Sequence, residues 1–204
     1  MGESGSGKSA SLRNFEPNDV SVINVAGKPL PFRKKLPVAN TADYGKIMGA
    51  IKNSAKKAFV IDDSQYLMCF EAFSKAKETG YGKYTDMALH FYNLVQFVIT
   101  QTPPDVIVYF LHHTDQDSNT GKTRAKTLGK MLDNQLTVEG LFSIALLCYT
   151  DGKKHVFVTQ SDGTTTCKSP MDMFPAEIDN DLKAVDTAIR EYYELNKKGT
   201  EKND

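Results

Sequence analysis

Eight consecutive residues, Gly2-Glu3-Ser4-Gly5-Ser6-Gly7-Lys8-Ser9, satisfy the pattern G-x-x-x-x-G-K-[ST] in full and leave the chain few ways to fold around them. The glycines let backbone N–H groups curl around a chain of phosphates, and a helix beginning at Ser9 adds its positive N-terminal end. Lys8 places a point charge where β- and γ-phosphates would lie, and Ser9 offers a hydroxyl to Mg²⁺. Gly2, Glu3, Ser4, Gly5, Ser6, Gly7, Lys8, Ser9 and Ala10 are thus the expected cradle for a nucleoside triphosphate, ATP or GTP, with magnesium. The bland explanation is a flexible Gly/Ser-rich terminus matching by chance. MGESGS also fits an N-myristoylation pattern at Gly2.

Such a cradle needs a carboxylate to order the metal shell. Ala58–Ile61 (AFVI) is a continuous apolar run that reads as a buried parallel strand. It ends in Asp62, the expected partner of Ser9 at the metal. Asp63 either polarises an attacking water or accepts local hydrogen bonds. A second apolar run, Val106–Leu111 (VIVYFL), ends in His112-His113. These histidines either sense a γ-phosphate or simply begin a loop.

The remaining pattern is that of an α/β chain. Val20–Ala26 reads as a strand and Lys28–Lys35 as a loop, because Pro29 and Pro31 each remove a ladder donor. Helices are expected near Asp43–Ala55, over Ser64–Glu78 and over Thr85–Thr100, where Met87, Phe91, Leu94 and Phe97 line one face. Leu141–Tyr149 and His155–Gln160 flank Asp151-Gly152, a hairpin signal. Ile178–Leu195 reads as a closing amphipathic helix. Strands alternating with helices predict a mainly parallel sheet with helices on both faces and an antiparallel edge hairpin. One domain is expected over residues 1–197, with 198–204 a solvated tail.

Composition narrows the partners. Lys plus Arg number 25 and Asp plus Glu 25, so no global positive field draws in nucleic acid. Two local patches are left to do so. Lys28, Arg33, Lys34 and Lys35 form one; Lys122, Arg124, Lys126 and Lys130 form the other. Either could meet phosphates of a single strand, or be an ordinary solvated loop. One of Lys122, Arg124 or Lys126 could instead reach a neighbouring subunit's γ-phosphate. The three cysteines form no metal-type pair, which fits a reducing cytoplasm. No apolar run is long enough to span a bilayer.

GESGSGKS, VINVAGKPLPF, AFVIDDSQYLM, VIVYFLHHTD and MFPAEIDNDLKAVDTAIREYY together resemble a bacteriophage family across nearly the whole chain. These are small RecA-like, AAA-type P-loop nucleotide-binding proteins, similar to Sak-type single-strand annealing and recombination ATPases. The resemblance implies a RecA-like core holding ATP and Mg²⁺, and a part in phage DNA recombination or replication. It also implies a homo-oligomer in the cytoplasm of the infected host, working with single-stranded DNA or other phage replication proteins. Lys8 and Ser9 would hold phosphate and metal, Asp62 would support the metal, and His112 or His113 would stand at the sensor position. The family's usual base is a glutamate, and none follows Asp62 directly. Asp63 is the candidate, with Glu3 and Glu71 weaker ones, so hydrolysis is expected to be slow. A nucleotide-binding regulator or loader with little hydrolysis is the alternative, and a small-molecule kinase a more distant one.

One departure concerns the strand from which such a loop hangs: only Met1 precedes Gly2. The first strand is therefore expected to be missing or replaced, with weakened nucleotide binding as the consequence. Each buried aliphatic side chain contributes ~1.5–3 kcal/mol, against a domain stability of ~5–15 kcal/mol.

Overall fold

The apolar runs at Val20, Ala58 and Val106 come together side by side in the computed structural model, which describes residues 1–128, 132 and 136–195. Strands β1 (Val20–Asn24), β2 (Val38–Asn40), β3 (Ala58–Asp62) and β4 (Ile107–Phe110) form one all-parallel sheet ordered β2-β1-β3-β4. Every residue of β3 is buried, as its unbroken apolar run requires. Its side chains alternate between two cores. Ala58 and Val60 enter one with Val20 and Val22, and Phe59 and Ile61 enter the other with Ile23.

Helices cover both faces. On the Phe59 face lie α1 (Tyr44–Lys52), α2 (Tyr66–Ser74) and α3 (Gly82–Gln101), which contribute Ile47, Ile51, Leu67, Leu94 and Phe97. Asp43 caps α1 by accepting from the Lys46 amide at 2.9 Å. The Val60 face is covered by a short 3₁₀ turn, Ser9–Asn14, and by α4 (Leu182–Tyr192), through Leu12, Leu182, Val185 and Ile189. Arg190 fastens α4 to the sheet edge through Asp186 and the carbonyls of Asp105 and Lys57, while Tyr109 donates to Asp186 at 2.9 Å.

The later chain is antiparallel. Strands β5 (Thr114–Gln116) and β6 (Thr123–Ala125) form a hairpin directly after His113, and β7 (Leu147–Thr150), β8 (His155–Val158) and β9 (Glu177–Asp179) form a second sheet. The Asp151 carboxylate accepts from the amides of Lys153 and Lys154 and so builds the expected β7–β8 turn.

Several boundaries differ from the sequence expectation. The run 141–146 does not join β7: Val138–Leu141 is a 3₁₀ turn, and Ala145 exchanges backbone bonds with Lys168 instead. The closing helix starts at Leu182 rather than Ile178, because Ile178 pairs with Phe157 in β9 and Asp181 caps the helix through the Lys183 and Ala184 amides. Lys130 and the 198–204 tail lie outside the described residues, as does the expected domain end at 197. No helix among the described residues is long and apolar enough to cross a membrane.

Candidate functional site

The glycine loop lies at the carboxyl ends of the parallel strands. Met1 and Gly2 are held between β4 and β7: the Gly2 amide donates to the His112 carbonyl beyond β4 (3.0 Å), and the Met1 carbonyl accepts from the Cys148 amide in β7 (2.7 Å). This explains the small residue at position 2. A Cβ there would stand 2.6 Å from the Cys148 carbonyl oxygen. Gly7 is doubly constrained: its φ is +103°, and a Cβ would meet the His155 ring at 2.8 Å. His155 Nδ1 and Cys148 Sγ both donate to the Ser6 carbonyl, at 2.7 and 3.0 Å. The loop is thus pinned from β7 and β8. Cys148 and His155 had no signal in the sequence, since only the hairpin pairing brings them here.

Lys8 is buried, and its ammonium donates to the Gly2 and Glu3 carbonyls at 2.7 and 2.8 Å. Burial lowers its pKa, while Asp63, Cys148 and Asp62 oppose that shift. The Ser6 hydroxyl is buried without a hydrogen-bond partner and lies where a Cβ on Gly2 would stand, 2.6 Å away.

Ser9 and Asp62 meet. The Ser9 hydroxyl donates to Asp62 Oδ1 at 2.9 Å across 53 residues of sequence. Burial raises the Asp62 pKa, and the Ser9 bond partly offsets it. Among the described residues no group of three or more His, Cys, Asp or Glu side chains could hold a metal. A hydroxyl and one carboxylate nonetheless suit Mg²⁺, which keeps several waters and takes the rest of its shell from substrate phosphates.

Asp63 sits at φ 59°, in the left-handed region that Asp tolerates better than most residues. This turns its buried carboxylate toward two side chains: Lys28 Nζ at 2.6 Å and His113 Nε2 at 3.2 Å. Burial alone would push the carboxyl up; the hydrogen bonds from His113 and Lys28 overcome it and hold it at about 2. Lys28 is delivered by the turn after β1, where the Asn24 side chain accepts from the Gly27 amide and donates to the Lys28 carbonyl. The sequence placed Lys28 in a basic patch; the structure separates it from Arg33, Lys34 and Lys35. Lys34 pairs with Glu16, and Arg33 and Lys35 are exposed.

The two histidines take different places. His112 is buried, with Nδ1 at 2.9 Å from the Ser64 hydroxyl and Nε2 at 2.7 Å from the Lys126 carbonyl. Desolvation lowers its pKa to about 4, so it is neutral at pH 7, and it ties the end of β4 to Lys126, just after β6. His113 faces Asp63 and packs edge-on against Tyr66. Of the weaker carboxylates, Glu3 is exposed, and Glu71 is engaged with Lys75 and His90 on the α2–α3 surface. On the β5–β6 hairpin, Arg124 pairs with Asp117 at 3.1 Å while Lys122 and Lys126 are exposed. Ser4 and Gly5 form the exposed crest of the loop, and Ala10 continues the 3₁₀ turn.

No protein-family model matches the chain, and no curated protein matches it in sequence.

Proposed function

We propose that the chain is a magnesium-dependent binder of ATP, with slow ATPase activity, built on a RecA-like P-loop core. One observation carries the reading. The Ser9 hydroxyl and the Asp62 carboxylate, both anticipated as metal-shell groups, lie 2.9 Å apart beside a buried Lys8. Lys8 would exchange its two loop carbonyls for β- and γ-phosphate oxygens. The loop amides would take the remaining phosphate oxygens. Ser9 and Asp62 would hold magnesium, whose role is to neutralise charge on the bridged phosphates. Asp63, anionic at neutral pH, would orient a water jointly with His113.

The resemblance extends the proposal to single-stranded DNA, phage recombination or replication, and a homo-oligomer. Exposed Lys122 and Lys126, on the hairpin that leads away from His113, are the residues that would face a strand. The test is ATP hydrolysis with and without single-stranded DNA. DNA should stimulate turnover in the wild type and not in Lys8→Ala. ATP binding that DNA leaves unchanged would remove the DNA-dependent part.

A second reading, a nucleotide-binding regulator with little hydrolysis, is favoured by one feature. Both Asp63 oxygens are occupied, by Lys28 and His113, which makes this carboxylate a poor proton acceptor. Lys28→Ala should then raise basal turnover several-fold by freeing Oδ2. Unchanged turnover would show that the Lys28 pairing does not limit hydrolysis.

A further inference from the structure

On the Phe59 side of the sheet, α1, α2 and α3 border an open cleft of about 520 Å³. Its lining includes Tyr44 of α1 with the cap residue Asp43, Leu67, Phe70 and Glu71 of α2, and His90 of α3. Rings and hydrocarbon make up much of the wall. The Tyr44 and His90 rings lie 5.8 Å apart, and the exposed Phe70 stacks on Tyr66 at 5.6 Å. None of the six residues belongs to the glycine loop or pins it.

Two oxygens of this lining are buried without a hydrogen-bond partner, the Tyr44 hydroxyl and Glu71 Oε2. The Glu71 carboxylate is lopsided: His90 Nδ1 at 2.8 Å and Lys75 Nζ at 2.9 Å both meet Oε1. Tyr44 lies within reach of the same carboxylate. Burial first, and the Glu71 charge second, hold its phenol well above the ordinary range, so it stays neutral. Leaving buried polar atoms unsatisfied is costly, and phenylalanine at 44 would bury the same ring without that cost.

One kind of group serves both oxygens. A carboxylate oxygen only accepts and a phenol oxygen accepts as well, so the complement is a donor carrying several hydrogens, as an ammonium does. Charge agrees with this. Asp43 and Glu71 both stand at the cleft, while Lys75 divides itself between Glu71 and Asp86 at 3.8 Å. Aromatic faces beside a carboxylate further favour a cation.

We propose that the cleft between α1, α2 and α3 binds the ammonium group of an aliphatic amine, which donates to Glu71 Oε2 and the Tyr44 oxygen while its stem lies against Leu67 and Phe70. The site shares no residue with the phosphate cradle, and its occupation does not depend on the nucleotide reading.

The test titrates n-butylamine into the full chain without nucleotide, at neutral pH and constant ionic strength, and follows the Gly45 and Phe70 amides by NMR. 1-Butanol keeps the stem and removes the charge; ammonium chloride does the reverse. Butylamine should bind saturably and at least about tenfold more tightly than either. Glu71→Gln should weaken it at least about tenfold. That substitution also loosens Lys75 and His90, so Tyr44→Phe supplies an independent check. It should weaken butylamine at least about threefold and leave Tm unchanged or higher, because it deletes a hydroxyl that has no partner. Butanol binding as tight as butylamine, unaltered affinity in Glu71→Gln, or a Tm loss of more than about 4 °C in Tyr44→Phe would overturn the proposal. Acetyl-lysine methylamide, with its side-chain amine free, is the last arm. Binding tighter than butylamine assigns the site to a lysine of a partner and weaker binding to a free amine, and either ranking upholds the ammonium.

Discussion

The surroundings of Lys8 and the β5–β6 hairpin carry similar charged residues in opposite circumstances. Around Lys8 the ionisable groups are buried, each is held by hydrogen bonds, and their proton affinities are shifted: Lys8 and His112 down, Asp62 up, Asp63 down. On the hairpin, Arg124 is neutralised by Asp117 and the lysines extend into solvent. A charge that has been desolvated is held in place by specific partners and strongly felt by a ligand; a solvated one is screened within about 10 Å at ordinary salt. On the proposed reading, the chemistry belongs to the loop, and the hairpin is left a salt-sensitive contact.

The largest expected effect breaks or sharpens this contrast through pH. His112 titrates near 6.5 in an unfolded chain and at about 4 when folded. The unfolded state therefore takes up the proton first as pH falls. Stability should drop between pH 6.5 and 4, by on the order of 3 kcal/mol at the lower end. Chemical denaturation across that range should give this slope in the wild type and lose it in His112→Gln. Identical slopes would mean that His112 is not buried as described.

Gly7→Ala is next. It forces a side chain into φ +103° and against His155, and should cost about 1–3 kcal/mol. Thermal denaturation of Gly7→Ala combined with His155→Ala should recover the steric part of that loss but not the backbone part. The smallest effect belongs to the hairpin. Lys122→Ala with Lys126→Ala should leave ATP affinity within about twofold, since exposed charges contribute little, while reducing the salt slope of any single-strand binding. A large loss of ATP affinity in that double variant would erase the distinction between the two regions.

The legible parts of the sequence were those set by local rules. AFVI and VIVYFL announced β3 and β4 because a strand buried on both faces must be apolar throughout, and Asp151-Gly152 announced the β7–β8 turn. The boundary at Ile178 was not legible, because pairing with Phe157 outweighed an amphipathic period that began four residues too early. The loop motif and Asp62 could be read from spacing. The loop's supports could not: Cys148, His155 and Lys28 reach it only through tertiary contacts, and His112 and His113 look equivalent until their opposite orientations are seen.

The central claim is that Ser9 and Asp62 act together as the magnesium arm of a triphosphate site. The most direct test is calorimetric titration of ATP, with and without Mg²⁺, into wild type, Ser9→Ala, Asp62→Asn and the double variant. Mg²⁺ should tighten ATP binding by about tenfold or more in the wild type. Each single variant should lose most of that gain, and the double variant should lose little further. Mg²⁺-independent binding in the wild type, or losses that simply add, would contradict the account.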